Sequence, residues 1–295
     1  MATRIKIREV KAGDYMRVHI FPVRNYHRGK RSKRYKESSE AQKRYNDKMA
    51  ALRTADTLHA NFTENDYALR LSYSDECPDL DGAGRDMDNF VRRLRYEYKK
   101  HGVELKAYAV TAEGKNGGRV HHHVVVNACA GVTDDQRLMR KIWNNGGRKG
   151  PRSYVNIEPL EFDDGEGMEF SDGGLTGLSK YIFFDNAVAA SRPGKRRYFR
   201  TRNLVQPEIR ETTGKISCRE AAYINQAADK DIIGELYPEY TVRTVVPETF
   251  SDDEADYARF NCGLFSVAYL CRKEMRFNCN TQRRRESAKA QSSRW

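Results

Sequence analysis

Three of the chain's seven histidines stand side by side, at His121, His122 and His123, inside a stretch (residues 107–127) that reads AYAVTAEGKNGGRVHHHVVVN. Neutral imidazoles suit transition ions, and a carboxylate added to a pair of them shifts the preference toward Mn²⁺ or Mg²⁺. Glu113 lies eight residues before His121. A divalent ion held by such a set polarises a phosphate oxygen and stabilises charge that develops on it.

These side chains cooperate only if a sheet positions them. Residues 120–127 have the β-branched character of a strand, and residues 105–112 form a second segment of similar length. Lys115, Asn116, Gly117 and Gly118 supply the turn between them. Alternation puts His121 and His123 on one face with Val125, and His122 on the other with Val120, Val124 and Val126. The second face is apolar and should meet the core. Two registers are open. A two-residue loop at Asn116-Gly117 sets Glu113 across from Val120. A three-residue loop over residues 116–118 pairs Glu113 with His121 and Thr111 with His123, as in a bulged hairpin with left-handed Gly. The three-residue loop is favoured, because the other sets a carboxylate against valines. His121, His123 and Glu113 are then the expected metal ligands.

GRVHHHVVVN, preceded by VTAEG, resembles the His-hydrophobic-His motif of rolling-circle replication initiators, the HUH endonucleases. It is most similar to the replication proteins of bacterial phages and plasmids. In that family the two outer histidines and an acidic residue on the neighbouring strand hold the metal. The middle position, usually apolar there, is His122 here. ALRLSY at residues 68–73 resembles the family's first motif, a central strand beside the metal strand.

Further along, LSKYIFFD (residues 178–185) follows a helical stripe of Leu175, Leu178 and Ile182. On residue physics alone Tyr181, one of 17 tyrosines, reads as a half-buried core residue. The resemblance implies more, since the family's nucleophilic tyrosine sits on a helix after the metal hairpin, often as Tyr-x-x-Lys. Tyr181 aligns with it, and Phe184 replaces the lysine. Lys180 lies about 100° around the helix and is an imperfect substitute. Tyr198 is the alternative nucleophile. GKRRYFRTRNLVQP at residues 194–207 also matches a recurrent family stretch. There Lys195, Arg196, Arg197, Arg200 and Arg202 are candidate phosphate contacts, against the alternative of a solvated charge run.

The charge balance points to the same partner. The net charge is +12, and residues 1–53 carry 16 Lys and Arg against 5 Asp and Glu. A basic arm of this kind suits a polyanion, most simply nucleic acid. Within it, RNYHRGKRSKRYK (residues 24–36) interleaves aromatics with cations, so Arg31, Lys33 and Arg34 are candidate contacts to single-stranded DNA. Six scattered cysteines without a CxxC pair argue for a reducing cytosol and against a zinc ribbon or disulfide framework. No apolar run reaches membrane-spanning length, and no signal-peptide pattern is read at the basic start. There is no Walker P-loop.

The element pattern implies an α+β fold, with a mainly antiparallel sheet flanked by helices; the resemblance makes it a ferredoxin-like HUH endonuclease core. Helices are expected at residues 40–59, 84–101, 133–146 and 218–228, and strands at residues 66–73, 153–160, 240–246 and 264–270. The expected organisation is an irregular basic arm (1–37), the endonuclease domain (38–210), a C-terminal extension on the same sheet (211–271) and a basic tail (272–295). His19, His27 and His59 receive no chemistry. By resemblance, the chain is an enzyme of the bacterial cytoplasm, a site-specific single-stranded DNA endonuclease and strand transferase. It nicks and rejoins an origin through a metal-assisted 5′-phosphotyrosine. Mn²⁺ or Mg²⁺ is the implied cofactor, single-stranded or origin-hairpin DNA the partner along with host replication proteins, and no membrane is involved. The rivals are a relaxase or single-strand transposase using the same site, and a non-catalytic single-stranded DNA-binding protein.

Overall fold

The computed structural model describes residues 4–23, 40–74, 77–114, 118–144, 154–162, 174–182, 187–188, 198–248 and 265–273. Two strands come first, β1 (Arg4–Ala12) and β2 (Tyr15–Val23). Helix α1 (Glu40–His59), strand β3 (Tyr67–Ser72) and helix α2 (Leu80–Lys100) lead to a hairpin of β4 (Ala107–Gly114) and β5 (Gly118–Val126). Next come α3 (Asp135–Asn144), β6 (Tyr154–Pro159), α4 (Gly174–Lys180), β7 (Ala187–Val188) and β8 (Tyr198–Arg200). The remaining elements are β9 (Glu208–Thr213), α5 (Cys218–Ala227), α6 (Asp231–Leu236), β10 (Tyr240–Glu248) and β11 (Phe265–Arg272).

The fold is α+β and antiparallel, as the sequence implies, but it is built on two sheets rather than one. The hairpin sheet runs β6-β3-β5-β4-β7, with β8 also paired to β4. The second sheet runs β10-β11-β2-β1-β9. Two expectations are corrected here. Residues 4–23 are not an irregular arm but a hairpin at the heart of the second sheet, where Ile5, Ile7, Met16, Val18 and Ile20 are buried on one face. The C-terminal strands β10 and β11 join that hairpin through β2 and not the sheet that carries the histidines.

Local rules place the helices that cover the hairpin sheet. Helix α2 starts a turn earlier than its apolar stripe suggests, because Asp79 caps it, accepting from the Gly82 amide at 2.7 Å. It stops at Gly102, whose φ of +70° suits glycine. Met87, Phe90, Leu94 and Tyr98 of its stripe pack with Met139 and Trp143 of α3 against one face of the sheet. Asp134, not Thr133, accepts from the Arg137 amide at the start of α3.

The opposite face meets α1 and α4. Leu58, Val110, Leu175 and Ile182 share one buried cluster there. Helix α1 therefore lies between the two sheets. Toward the hairpin sheet, its Thr54 hydroxyl meets the Tyr108 hydroxyl at 2.7 Å. Toward the second sheet, Asp56 accepts from Arg17 Nε at 2.9 Å and His59 stacks on Tyr15 at 3.9 Å. Arg17 and Asp56 are both buried, and the Arg17 guanidinium also lies against the His19 ring. Burial first, and then the charge of Arg17, pushes His19 well below its usual pKa, so the ring stays neutral beside the cation.

Two outcomes follow for stability. Asp56→Ala leaves the Arg17 charge buried without its partner and should cost about 3–5 kcal/mol in urea unfolding. Acid should destabilise the protein as well. Unfolded His19 takes up a proton near its ordinary pKa while the folded ring resists, so stability is full above that value and falls as the pH drops below it. A His19→Gln variant should show a shallower fall in melting temperature over the same acidic range.

Candidate active site

The hairpin register is set by the middle histidine. His122 is fully buried, and both ring nitrogens have partners: Nε2 meets the Tyr73 hydroxyl and Nδ1 the Thr111 hydroxyl, each at 2.9 Å. Its ring also stands edge-on to Trp143. Thr111 is directly across from His122, which puts Glu113 across from Val120 and Ala112 across from His121. The expected pairing of Glu113 with His121 is thus corrected. A bulge next to Gly114 absorbs the odd residue, so that Gly114 faces Gly118. Glu113 escapes the penalty that favoured the other register because it is only half-buried at the end of the sheet.

With His122 turned to the core, His121 and His123 take the opposite face, as alternation requires. Their rings are perpendicular, with centroids 4.9 Å apart. Both are buried, and burial first, then His121, then Arg70 push the His123 pKa down to about 3. The His121 Nδ1–H donates to the Arg119 carbonyl at 3.1 Å, while its Nε2 is buried with no hydrogen-bond partner. A neutral imidazole anchored through Nδ1, with a bare Nε2 lone pair, is the donor that a metal ion takes. The histidine pair fits a divalent cation on that ground. Glu113 lies on the other face of the sheet, and no set of three possible ligands occurs among the described residues.

Tyr181 is brought to this pair. After Lys180 the helix widens into a π turn at Tyr181 and Ile182. Ile182 is buried in the cluster beneath, while Tyr181 is 37% exposed. Its ring meets that of His123 edge to face, 5.3 Å between centroids at 88°. Tyr198, the alternative, lies elsewhere on the same face, across from Val110 and stacked 5.4 Å from the Tyr108 ring. Arg200 stands two residues on, its guanidinium 6.0 Å from the Tyr198 ring centroid and bonded to Gln206. Arg202 is exposed. Arg31, Lys33, Arg34, Lys195, Arg196, Arg197 and Phe184 lie outside the described residues.

Comparison with known proteins yields one match. Residues 66–156 match the model of a family of replication-associated proteins, the ORF2 family. No curated protein and no solved structure matches. The family match supports a role in replication initiation. It runs from the start of β3 to β6, takes in all three adjacent histidines, and ends before Tyr181. Among the described residues, no helix is long and apolar enough to cross a membrane.

Other residues of the site carried weaker signals in the sequence. Arg70 pairs directly with His123 across β3 and β5, and the alternation of ALRLSY already puts it opposite Leu69 and Leu71. Tyr73 and Thr111 could be found only by asking what hydroxyls a buried His122 needs. The TRNLVQP run turns out to be an anchor as well as a charge run. Thr201 Oγ1 accepts from the Ala107 amide at 3.1 Å, and Asn203 donates to the Leu105 carbonyl at 3.1 Å.

The bonding of His122 generates an asymmetric prediction. Thr111→Val or Tyr73→Phe strands one nitrogen of a buried ring and should cost about 1–3 kcal/mol each in chemical denaturation. In the triple variant Thr111→Val, Tyr73→Phe, His122→Leu, all three partners become apolar. It should recover much of the loss summed over the two single variants.

Proposed function

We propose that the chain is a replication initiator that cuts and rejoins single-stranded DNA through a covalent link to Tyr181. The observation that carries this reading is the meeting of Tyr181 with His123. A solvent-reachable hydroxyl there stands beside the neutral pair His121 and His123, on the strand pair that matches a replication family. His121 and His123 would hold a Mn²⁺ or Mg²⁺ ion, which when bound draws charge from the phosphate under attack.

The chain's own groups do the rest. Free tyrosine has a pKa near 10, so its hydroxyl needs a fixed position and a nearby positive field to react at neutral pH. The Tyr181 oxygen attacks phosphorus, the bond to the 3′ oxygen breaks, and the tyrosine proton is released as the 3′ oxygen gains one. The products are a 5′-phosphotyrosine and a 3′-OH that can prime synthesis, and reversal rejoins the ends. The polarity of the cut follows from the resemblance. The Arg200 and Arg202 segment, together with the basic run of residues 24–36, would hold the strand by its phosphates.

A binding protein without catalysis is the second reading, favoured by the position of Glu113 away from the histidine pair. An adduct assay separates the two. The protein is incubated with Mn²⁺ and a randomised single-stranded oligonucleotide library, and protein-linked DNA is recovered and sequenced. Selected sequences are then remade with 5′ or 3′ labels. The label downstream of the cut should stay on the protein, EDTA should abolish transfer, and both Tyr181→Phe and His121→Ala should remove the adduct while Tyr198→Phe keeps it. Loss only in Tyr198→Phe moves the nucleophile. Tight, salt-sensitive binding with no adduct from any sequence would leave the binding reading standing.

A further inference from the structure

The histidine face has a nucleophile and neutral imidazoles, yet neither brings a fixed positive charge to a phosphodiester. One residue in contact range of that face does. Arg70 lies on β3, directly across from His123, so the two backbones are about 5 Å apart and their side chains leave the sheet on the same side. Its neighbours in sequence, Leu69 and Leu71, turn into the core beneath α2, while Arg70 is exposed. That is unusual for a strand paired on both sides, here to β5 and β6.

The cation is also uncommitted. Its cross-strand neighbour on β6 is Asn156. The nearest carboxylate along that strand, Glu158, is engaged by the Asn156 amide at 2.7 Å. No hydrogen bond or ion pair binds the Arg70 guanidinium among the described residues. A fork of N–H donors held free beside His123 matches the geometry of phosphate oxygens.

We infer that Arg70 forms, with the His123 edge of the sheet, a subsite for the phosphodiester presented to Tyr181, gripping its non-bridging oxygens. Arg70 then supplies the charge that a lysine three residues after Tyr181 would carry, a position held here by Phe184. This inference rests on the proposed reading of the Tyr181 face, but it can be tested apart from cleavage.

The test uses full-length protein, as wild type, Arg70→Ala and Arg70→Lys, with a folding control by thermal unfolding. Binding of labelled single-stranded oligonucleotides is measured in EDTA across a salt series. A neutral methylphosphonate is then moved along the strand one linkage at a time. Arg70→Ala should bind more weakly, with a log K against log salt slope shallower by about 0.7, the contribution of one phosphate on a single strand. One methylphosphonate position should weaken the wild type and leave Arg70→Ala unaffected. In the adduct assay with Mn²⁺, Arg70→Ala should slow transfer about 10²–10³-fold, as loss of a donor to developing charge does, and Arg70→Lys should recover part of it. If every methylphosphonate weakens both proteins equally, or the salt slope does not change, Arg70 does not hold a phosphate and the inference fails. If the scan finds the position but no protein forms an adduct, the subsite stands and the reading of the chain as an enzyme fails.

Discussion

Everything at the site depends on which way the middle histidine turns. A strand has a period of two, so committing His122 to the core commits its neighbours to the other face. What commits it is a pair of hydroxyls, Tyr73 on one nitrogen and Thr111 on the other, with Trp143 against the ring. A buried imidazole without them would favour slipping out of the core. The cross-strand partner Thr111 also fixes the register between β4 and β5, and through it the position of Glu113. One polar residue in an otherwise apolar position thus determines both the direction of His121 and His123 and the absence of a carboxylate opposite them.

That dependence explains what could and could not be read in the sequence. The facing of the three histidines, the α2 and α3 stripes and the C-terminal strands follow from local periodicity, and all appear where alternation and 3.6-residue spacing put them. The hairpin register does not, because it was weighed only by the cost of setting Glu113 against valines. Burial depends on where the sheet ends, and at its end Glu113 remains half in solvent. The pairing of Thr111 with His122 is a contact between strands, and composition says nothing of it.

The N-terminal hairpin shows the same limit on a larger scale. Met16, Val18 and Ile20 alternate as a strand should, but Arg17 and His19 between them read as solvated. They are buried because α1, more than thirty residues later in the chain, brings Asp56 and His59 down onto that face. A strand with a polar stripe facing a helix is invisible until the helix is known to carry the complementary charge. The position of Tyr181 near His123 lies in between. The stripe of Leu175 and Ile182 places its helix on the sheet, but the π turn that frees the tyrosine from that stripe has no sequence signature.

The two halves of the protein meet in α1, and the site inherits that arrangement. Leu58 packs in the same cluster as Leu175 and Ile182, and that cluster sets where the chain carrying Tyr181 leaves α4. On its other side α1 is held by the Arg17–Asp56 pair and the stack of His59 on Tyr15. The tyrosine therefore sits at the end of a chain of packed contacts that begins in the second sheet, whereas the histidines and Arg70 belong to the hairpin sheet itself. Reactive geometry tolerates little displacement between its parts. A second sheet clamped to the first through one helix is a way to hold the tyrosine, which comes from a separate segment of chain, in register with the histidines. The buried ion pair on the far side of α1 is then tied to where Tyr181 stands as well as to how stable the fold is.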